Sequence, residues 1–258
     1  MLRYAGGKSR AIKILKQYIP NEPIVSPFLG GGSVELNHTQ LVYANDCVEP
    51  LIQFWKDLKY DRERLIAEIQ SYYPITKEKY KELKAKPFTS ASFFVVNRSC
   101  FSGCMTGGFS GTRFTQSCID ALRDIDVSHM EFFCENYDSF LHRFPHHFAF
   151  LDPPYDCDNL YLSPPFDHKR LRDVLDKRTK WILCYNDTPY IRELYNGHRI
   201  ETIQWKYGMN KSRVSNEILI FSKDNATSHT QQRANDKRSQ KEQMPSSEWS
   251  ACGIHVAE

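Results

Sequence analysis

The run His147-Phe148-Ala149-Phe150-Leu151 stops abruptly at Asp152-Pro153-Pro154-Tyr155. That stop constrains the fold more than any other stretch. An apolar run bounded by turn residues reads as a buried strand. Two prolines fix φ and remove two backbone donors, so the strand cannot continue. Left at its C-terminal end are carbonyls, one carboxylate and one phenol ring. In open α/β sheets, ligands gather at that end. The set suits a planar amine. The carboxylate and a carbonyl can accept its hydrogens while the ring stacks on its face.

The chain upstream supplies the rest of such a sheet. Residues 24–28 read as a strand and Leu29-Gly30-Gly31-Gly32 as a tight turn. Ser33 reads as the N-cap of a helix beginning Val34-Glu35-Leu36. Residues 41–46 form a second strand that ends in Asp46, and helical patterns cover 48–58 and 61–72. This opening is that of a doubly wound, Rossmann-like α/β sheet. The rhythm lapses over 74–126, which holds a lysine-rich helix, an apolar segment at 92–97 and a glycine-rich loop at 102–111. It resumes with strands at 131–134 and 147–152, a helix at 167–177, a strand at 181–185 and a helix at 189–195. Residues 200–205 and 217–221 read as a closing antiparallel pair. The expected organisation is a core built from 1–73 and 127–224 with an inserted, mostly helical lobe at 74–126. The tail at 225–258 has too little apolar content to order itself.

Composition narrows the class. The 258 residues are 41% hydrophobic and 25% charged, enough for one α/β domain with an insertion. No apolar stretch approaches the ~20 residues a membrane helix needs. Met1-Leu2-Arg3-Tyr4 opens no signal-peptide apolar region. A soluble, intracellular protein is the expectation. The eight cysteines include no C-x-x-C pair and meet no histidine pair at finger spacing, so no metal is expected. Cys134 and Cys184 fall in apolar runs and read as free buried thiols. A net charge of +3 says little, but its distribution says more. From Ile75 to Arg113 seven basic residues face two acids, a local +5. Lys206, Lys211 and Arg213 add a second basic stretch without an acid. Charge runs are usually solvated faces, yet two of them flanking the Asp152 motif favour a polyanionic partner.

Gly30-Gly31-Gly32 between strand and helix lets a ligand approach the backbone closely. An acid at the end of the next strand, here Asp46, is where ribose hydroxyls are accepted. The plain alternative for Asp46 is a helix cap. Gly6-Gly7-Lys8-Ser9 resembles a P-loop only superficially, because Leu2 stands where the first glycine is required and no strand precedes it. A lysine on a glycine turn can instead meet a carboxylate, such as that of an amino-acid-bearing cofactor.

Six segments now stand in a recognisable order. They are Tyr4-Ala5-Gly6-Gly7-Lys8, Pro27-Phe28-Leu29-Gly30-Gly31-Gly32-Ser33, Asn45-Asp46, Asn97-Arg98-Ser99-Cys100-Phe101, Asp152-Pro153-Pro154-Tyr155 and Glu217-Ile218-Leu219-Ile220. Over about residues 1–223 the chain resembles the Dam-like, D12 class DNA adenine-N6 methyltransferases. The resemblance implies S-adenosylmethionine as methyl donor and a class I methyltransferase sheet. It also implies target recognition by the insertion. Carried over by motif, Tyr4, Lys8, Asp46 and Asp152 would contact the cofactor, and Phe28 and Gly30 would line its methionine side. Tyr4 stands where the family often has Trp, which keeps an aromatic ring.

The same resemblance makes Asp152, Pro153 and Tyr155 catalytic. An exocyclic adenine nitrogen is a poor nucleophile because its lone pair is delocalised. Asp152 and the Pro153 carbonyl would accept its hydrogens and localise that pair for direct methyl transfer. No covalent enzyme intermediate is needed. A base inside a duplex must be flipped out at a cost of a few kcal/mol. Stacking on Tyr155 would return ~1–3 kcal/mol of it. Tyr161 and Phe166 are candidates to close the pocket and equally candidates for packing.

Double-stranded DNA is the implied partner, with Asn97, Arg98, Arg113, Lys211 and Arg213 as candidate contacts. Asn97 and Arg98 can equally brace the insertion. The family's GATC-methylating branch carries a longer hairpin where this chain has Thr106-Gly107-Gly108-Phe109-Ser110. A different target, a short palindrome, is therefore expected, read by a monomer or weak dimer. The readings left open are methylation of cytosine N4 or of RNA, and a catalytically silent DNA-binding subunit.

Overall fold

The computed structural model describes residues 2–4, 6–103, 105–155, 166–203 and 217–223. Its strands are β1 (Ile24–Ser26), β2 (Val42–Asn45), β3 (Met130–Phe133), β4 (Phe148–Leu151), β5 (Trp181–Asn186), β6 (Ile200–Ile203) and β7 (Glu217–Phe221). They form one sheet in the order β3-β2-β1-β4-β5-β7-β6. The first five are parallel, while β7 runs antiparallel to both β5 and β6. The expected doubly wound sheet and its antiparallel closing pair are both present.

Burial on both faces explains the apolar runs. Successive side chains of a strand point to opposite faces. Along β4, Phe148 and Phe150 enter one core cluster while Ala149 and Leu151 enter the other. Along β5, Ile182 and Cys184 take the first face and Trp181, Leu183 and Tyr185 the second. Strands covered on both sides lose the polar alternation of half-exposed ones.

Helices α1 (Ile12–Leu15), α2 (Glu49–Tyr60), α3 (Arg62–Gln70), α4 (Lys77–Lys84), α5 (Ser90–Ser99) and α6 (Gln116–Asp120) contribute to the first cluster. Helices α7 (Tyr137–Arg143), α8 (His168–Asp176) and α9 (Pro189–Leu194) contribute to the second. The apolar segment at 92–97 is the middle of α5. Thr89 starts that helix with a capping box, its hydroxyl accepting from the Ser92 amide while the Ser92 hydroxyl accepts from the Thr89 amide. Helix α5 is buried against α2, where Phe94 stacks on Phe54 at 5.3 Å. The middle of the insertion is thus one piece with the core.

Two expectations need correction. No α-helix follows Ser33. A single 3-10 turn spans Glu35–Asn37, and His38 is already extended. Few residues separate Gly32 from β2, so the chain must turn back at once. Cys134 is exposed rather than buried, because it lies one residue past the end of β3. Cys184 is buried as expected, and the cysteines Cys47, Cys100, Cys118, Cys134 and Cys184 are all free thiols.

Candidate active site

The sheet brings four distant residues to one point. Asp152 follows the last residue of β4, at the C-terminal edge of the parallel strands. Strand β7 is antiparallel, so its first residue, Glu217, lies at that same edge, paired with Asn186 at the end of β5. Lys8 arrives from the N-terminal segment ahead of α1. Its ammonium donates to both carboxylate oxygens of Asp152, at 2.7 and 2.8 Å. It also donates to the Tyr155 hydroxyl at 2.7 Å and to the Gly6 carbonyl at 2.8 Å. The Tyr155 hydroxyl in turn donates to Glu217 Oε2 at 2.8 Å, and that oxygen lies 3.4 Å from Lys8 Nζ.

Burial gives this network its rigidity. Lys8 is 2% and Glu217 4% exposed, whereas the Asp152 side chain keeps 22% of its surface. Burial alone would discharge Lys8. The carboxylates of Asp152 and Glu217 outweigh it and hold the lysine above its usual range. Burial, reinforced by the same two acids, pushes the Tyr155 phenol well up, so it stays a neutral donor. Lys8, a candidate for the cofactor's carboxylate, is engaged here within the protein. An ammonium has three donors, and Gly6, Asp152 and Tyr155 take them. Its separation of 144 residues from Asp152 hides that pairing from any sequence pattern.

Glu217 was visible only as part of a motif. What could have found it is its position: a lone acid opening an otherwise apolar strand is costly to bury without a partner. A second buried acid, Glu35, was missed altogether. It is 2% exposed and accepts from the Ser26 hydroxyl at 2.6 Å, at the end of β1. Burial raises its carboxyl to about 7, the Ser26 bond opposing and the Asp152 charge adding to the shift.

The glycine turn lies beside this cluster. Gly30 and Gly32 have φ of +48° and +65°, a region that suits glycine. A Cβ on Gly30 would sit 3.3 Å from the Tyr4 ring, and one on Gly32 would sit 3.2 Å from Trp55. Tyr4 therefore packs against the turn. Asp46 accepts the Gly30 amide at 3.0 Å and the Val48 amide at 3.1 Å, tying turn and acid together. Burial raises its carboxyl, opposed by backbone hydrogen bonds from Gly30, Val48 and Cys47. Phe28 packs against Tyr137 at 5.3 Å and Phe166 at 5.6 Å, which makes Phe166 a packing residue of this wall. The hydroxyl of Tyr137 is buried with no partner among the described residues.

The candidate DNA contacts divide. Asn97 is fully buried. Its amide clamps the backbone of Arg3, accepting from Arg3 N and donating to Arg3 O, each at 2.8 Å. It braces the insertion on the N-terminal segment and cannot reach DNA. Arg98 is half-buried and donates to the Arg113 carbonyl at 3.1 and 2.8 Å, while Arg113 is exposed. Lys211, Arg213, Tyr161 and the 225–258 tail lie outside the described residues. Some of the insertion's positive charge is already spent, since Glu82 pairs with Lys79 at 3.0 Å and Lys86 at 2.8 Å. Among the described residues no cluster could hold a metal, and no helix is long and apolar enough to cross a membrane.

A mostly parallel seven-strand sheet with a polar cluster at its C-terminal edge is the class I methyltransferase arrangement. The chain belongs to the D12 class N6 adenine-specific DNA methyltransferases, whose family profile matches residues 4–209. It is similar to the Type II methyltransferase M.CviBI of Paramecium bursaria Chlorella virus NC1A, with 24% identity over 84% of this chain and 95% of that protein. It is also similar to the DNA adenine methylase of Vibrio cholerae, with 23% identity over 85% of this chain and 95% of that one. The Retron Ec67 DNA adenine methylase of Escherichia coli shares 25% identity over 86% of this chain and 90% of its own length. Among the readings left open, the family favours adenine in DNA over cytosine or RNA.

Proposed function

We propose that this chain methylates N6 of an adenine flipped from a specific short sequence in duplex DNA, with S-adenosylmethionine as the donor. The observation that carries the reading is the Asp152–Tyr155 turn, locked from behind by Lys8 and Glu217 with its carboxylate still open. The cofactor fits the residues present. The Tyr4 ring lies against the Gly30 turn, and Asp46 keeps acceptor capacity beyond the amides it accepts. The unpartnered Tyr137 hydroxyl lies in the Phe28 wall. Tyr4, Phe28, Gly30, Asp46 and Asp152 are the residues that would hold it. When bound, S-adenosylmethionine supplies an electrophilic methyl group on a sulfonium.

The chain's own residues do the rest. Asp152 and the Pro153 carbonyl accept the hydrogens of the adenine amine and localise its lone pair. The Asp152 charge also stabilises the positive charge that develops on that nitrogen. Lys8 acts through Asp152: it fixes both carboxylate oxygens, so the acceptor need not reorganise as the base arrives. The Tyr155 ring stacks on the flipped base, and its hydroxyl, anchored on Lys8 and Glu217, sets the ring plane.

The test is direct. The protein is incubated with duplex DNA and radiolabelled S-adenosylmethionine, and the DNA is digested to nucleosides. Label in N6-methyldeoxyadenosine is the expected result. Label in N4-methyldeoxycytidine, or none, contradicts the reading.

A further inference from the structure

The strand-end cluster continues along one face of the sheet to a third acid. Alternating side chains put Ile24, Phe150, Cys184 and Leu219 in the first core cluster. The same alternation sets Ser26, Asp152 and Glu217 on that face at the C-terminal edge. Their strands are neighbours in the order β1-β4-β5-β7, about 5 Å apart. The register Val25↔Ala149 brings Ser26 alongside Phe150, two residues short of Asp152. Glu35 closes the β1 end of this row, its Oε1 accepting the Ser26 hydroxyl at 2.6 Å. Three acids thus line one face around a single ammonium, that of Lys8. Lys8 pairs with Asp152 and Glu217, while Glu35 forms no ion pair among the described residues.

We infer that Glu35 is a positioning residue for methyl transfer that acts through Asp152. Its carboxylate, held by Ser26, adds negative charge behind the amine acceptor. The inference rests on the DNA reading above and deepens it at the same site. As the amine nitrogen bonds the methyl group and the methyl–sulfur bond breaks, the nitrogen becomes cationic. It then sheds one proton to Asp152 and on to water. A second negative charge on this face favours that cation.

The groups around Glu35 fix the sign of its effect. Asp152 faces it from the end of β4, and that charge adds to the rise that burial brings. Cys184 faces it from β5, and the charges of Asp152, Lys8, Glu217 and Glu35 all reach this buried thiol. The His129 ring, ahead of β3, lies 3.1 Å from the Glu35 carbonyl oxygen. On its own segment His38 turns away, to the Glu22 carbonyl at 2.8 Å. Glu35 ionises only as pH passes about 7. Transfer should therefore quicken as pH rises through that value.

The test is single-turnover methyl transfer to mixed-sequence duplex DNA, from about pH 5.5 to about pH 8.5. The wild-type rate should rise roughly tenfold across that range, with a midpoint near 7. Glu35→Gln keeps the shape and an acceptor for Ser26, and should hold the acid-side rate throughout. Ser26→Ala removes a bond that opposes the rise of the Glu35 carboxyl. It should move the midpoint upward and keep both plateaus, and it carries the test if Glu35→Gln does not fold. A Glu35→Gln profile that rises like the wild type overturns the inference and leaves the limb to His129. So does a Glu35→Gln rate well below the wild-type acid plateau, the mark of a merely structural role. NMR titration of the side-chain carboxyls in the protein alone adds a readout independent of transfer. There Asp152→Asn should lower the Glu35 midpoint, and an unchanged midpoint overturns the inference. A wild type that labels no DNA at any pH removes the DNA reading itself. A lowered midpoint in the NMR series shows that failure to be separate.

Discussion

Lys8 and Arg113 are both cations of this chain, and their surroundings differ in opposite ways. Lys8 is buried and spends its donors on Gly6, Asp152 and Tyr155. Arg113 is exposed and has no carboxylate partner among the described residues. Inside the fold, charge holds a shape, is little screened by salt, and is costly to remove from one side only. Outside it, charge stays available for a partner and fades as salt rises. Buried and exposed charge are therefore expected to respond differently to substitution and to salt.

The largest effect that would sharpen this contrast is Lys8→Met. It withdraws the ammonium from a buried carboxylate, and breaking such a pair costs ~3–5 kcal/mol. Urea unfolding should show that loss, where Arg113→Gln should be within ~0.5 kcal/mol of wild type. Equal, small effects of the two substitutions would erase the distinction.

Glu35 gives the next effect, through pH. Its carboxyl rises from 4.5 unfolded to about 7 folded, mainly because of burial. A raised pKa means that the folded state holds the proton more tightly. The stability this brings is full below pH 4.5 and is lost as pH rises to about 7. The total is up to ~3 kcal/mol. Thermal melts should show the wild type losing stability over that window while Glu35→Gln does not. Parallel curves would show that Glu35 ionises normally.

Tyr155→Phe should be the mildest. It keeps the ring and removes the hydroxyl bonds to Lys8 and Glu217, at a net cost of ~1 kcal/mol. Methyl transfer should persist at a reduced rate. Tyr155→Ala should in addition weaken capture of the flipped base, read by a smaller 2-aminopurine fluorescence rise. An unchanged rise would argue against stacking.

The sequence displayed its strands well because buried strands are written as continuous apolar runs, as in Phe148–Leu151. It displayed Asp46 and Asp152 because both stand at the ends of such runs. It did not display α5 as a helix, since Ser92 to Asn97 is apolar on every side and shows no 3.6-residue stripe. It misled at Ser33, where a good cap residue precedes a stretch too short for a helix. Asn97 looked like a DNA contact because polarity alone does not reveal burial. Lys8 and Glu217 gained their meaning only when an antiparallel strand and the N-terminal segment met at one sheet edge.

The central claim is that the open Asp152 carboxylate, held by Lys8, is what makes the amine react. Single-turnover methyl transfer to duplex DNA by Asp152→Ala measures it most directly, at saturating DNA and donor and with folding checked by thermal melting. A loss of roughly a thousandfold or more in rate is predicted for a folded protein. A folded Asp152→Ala protein that transfers methyl groups at a near-normal rate would contradict the account.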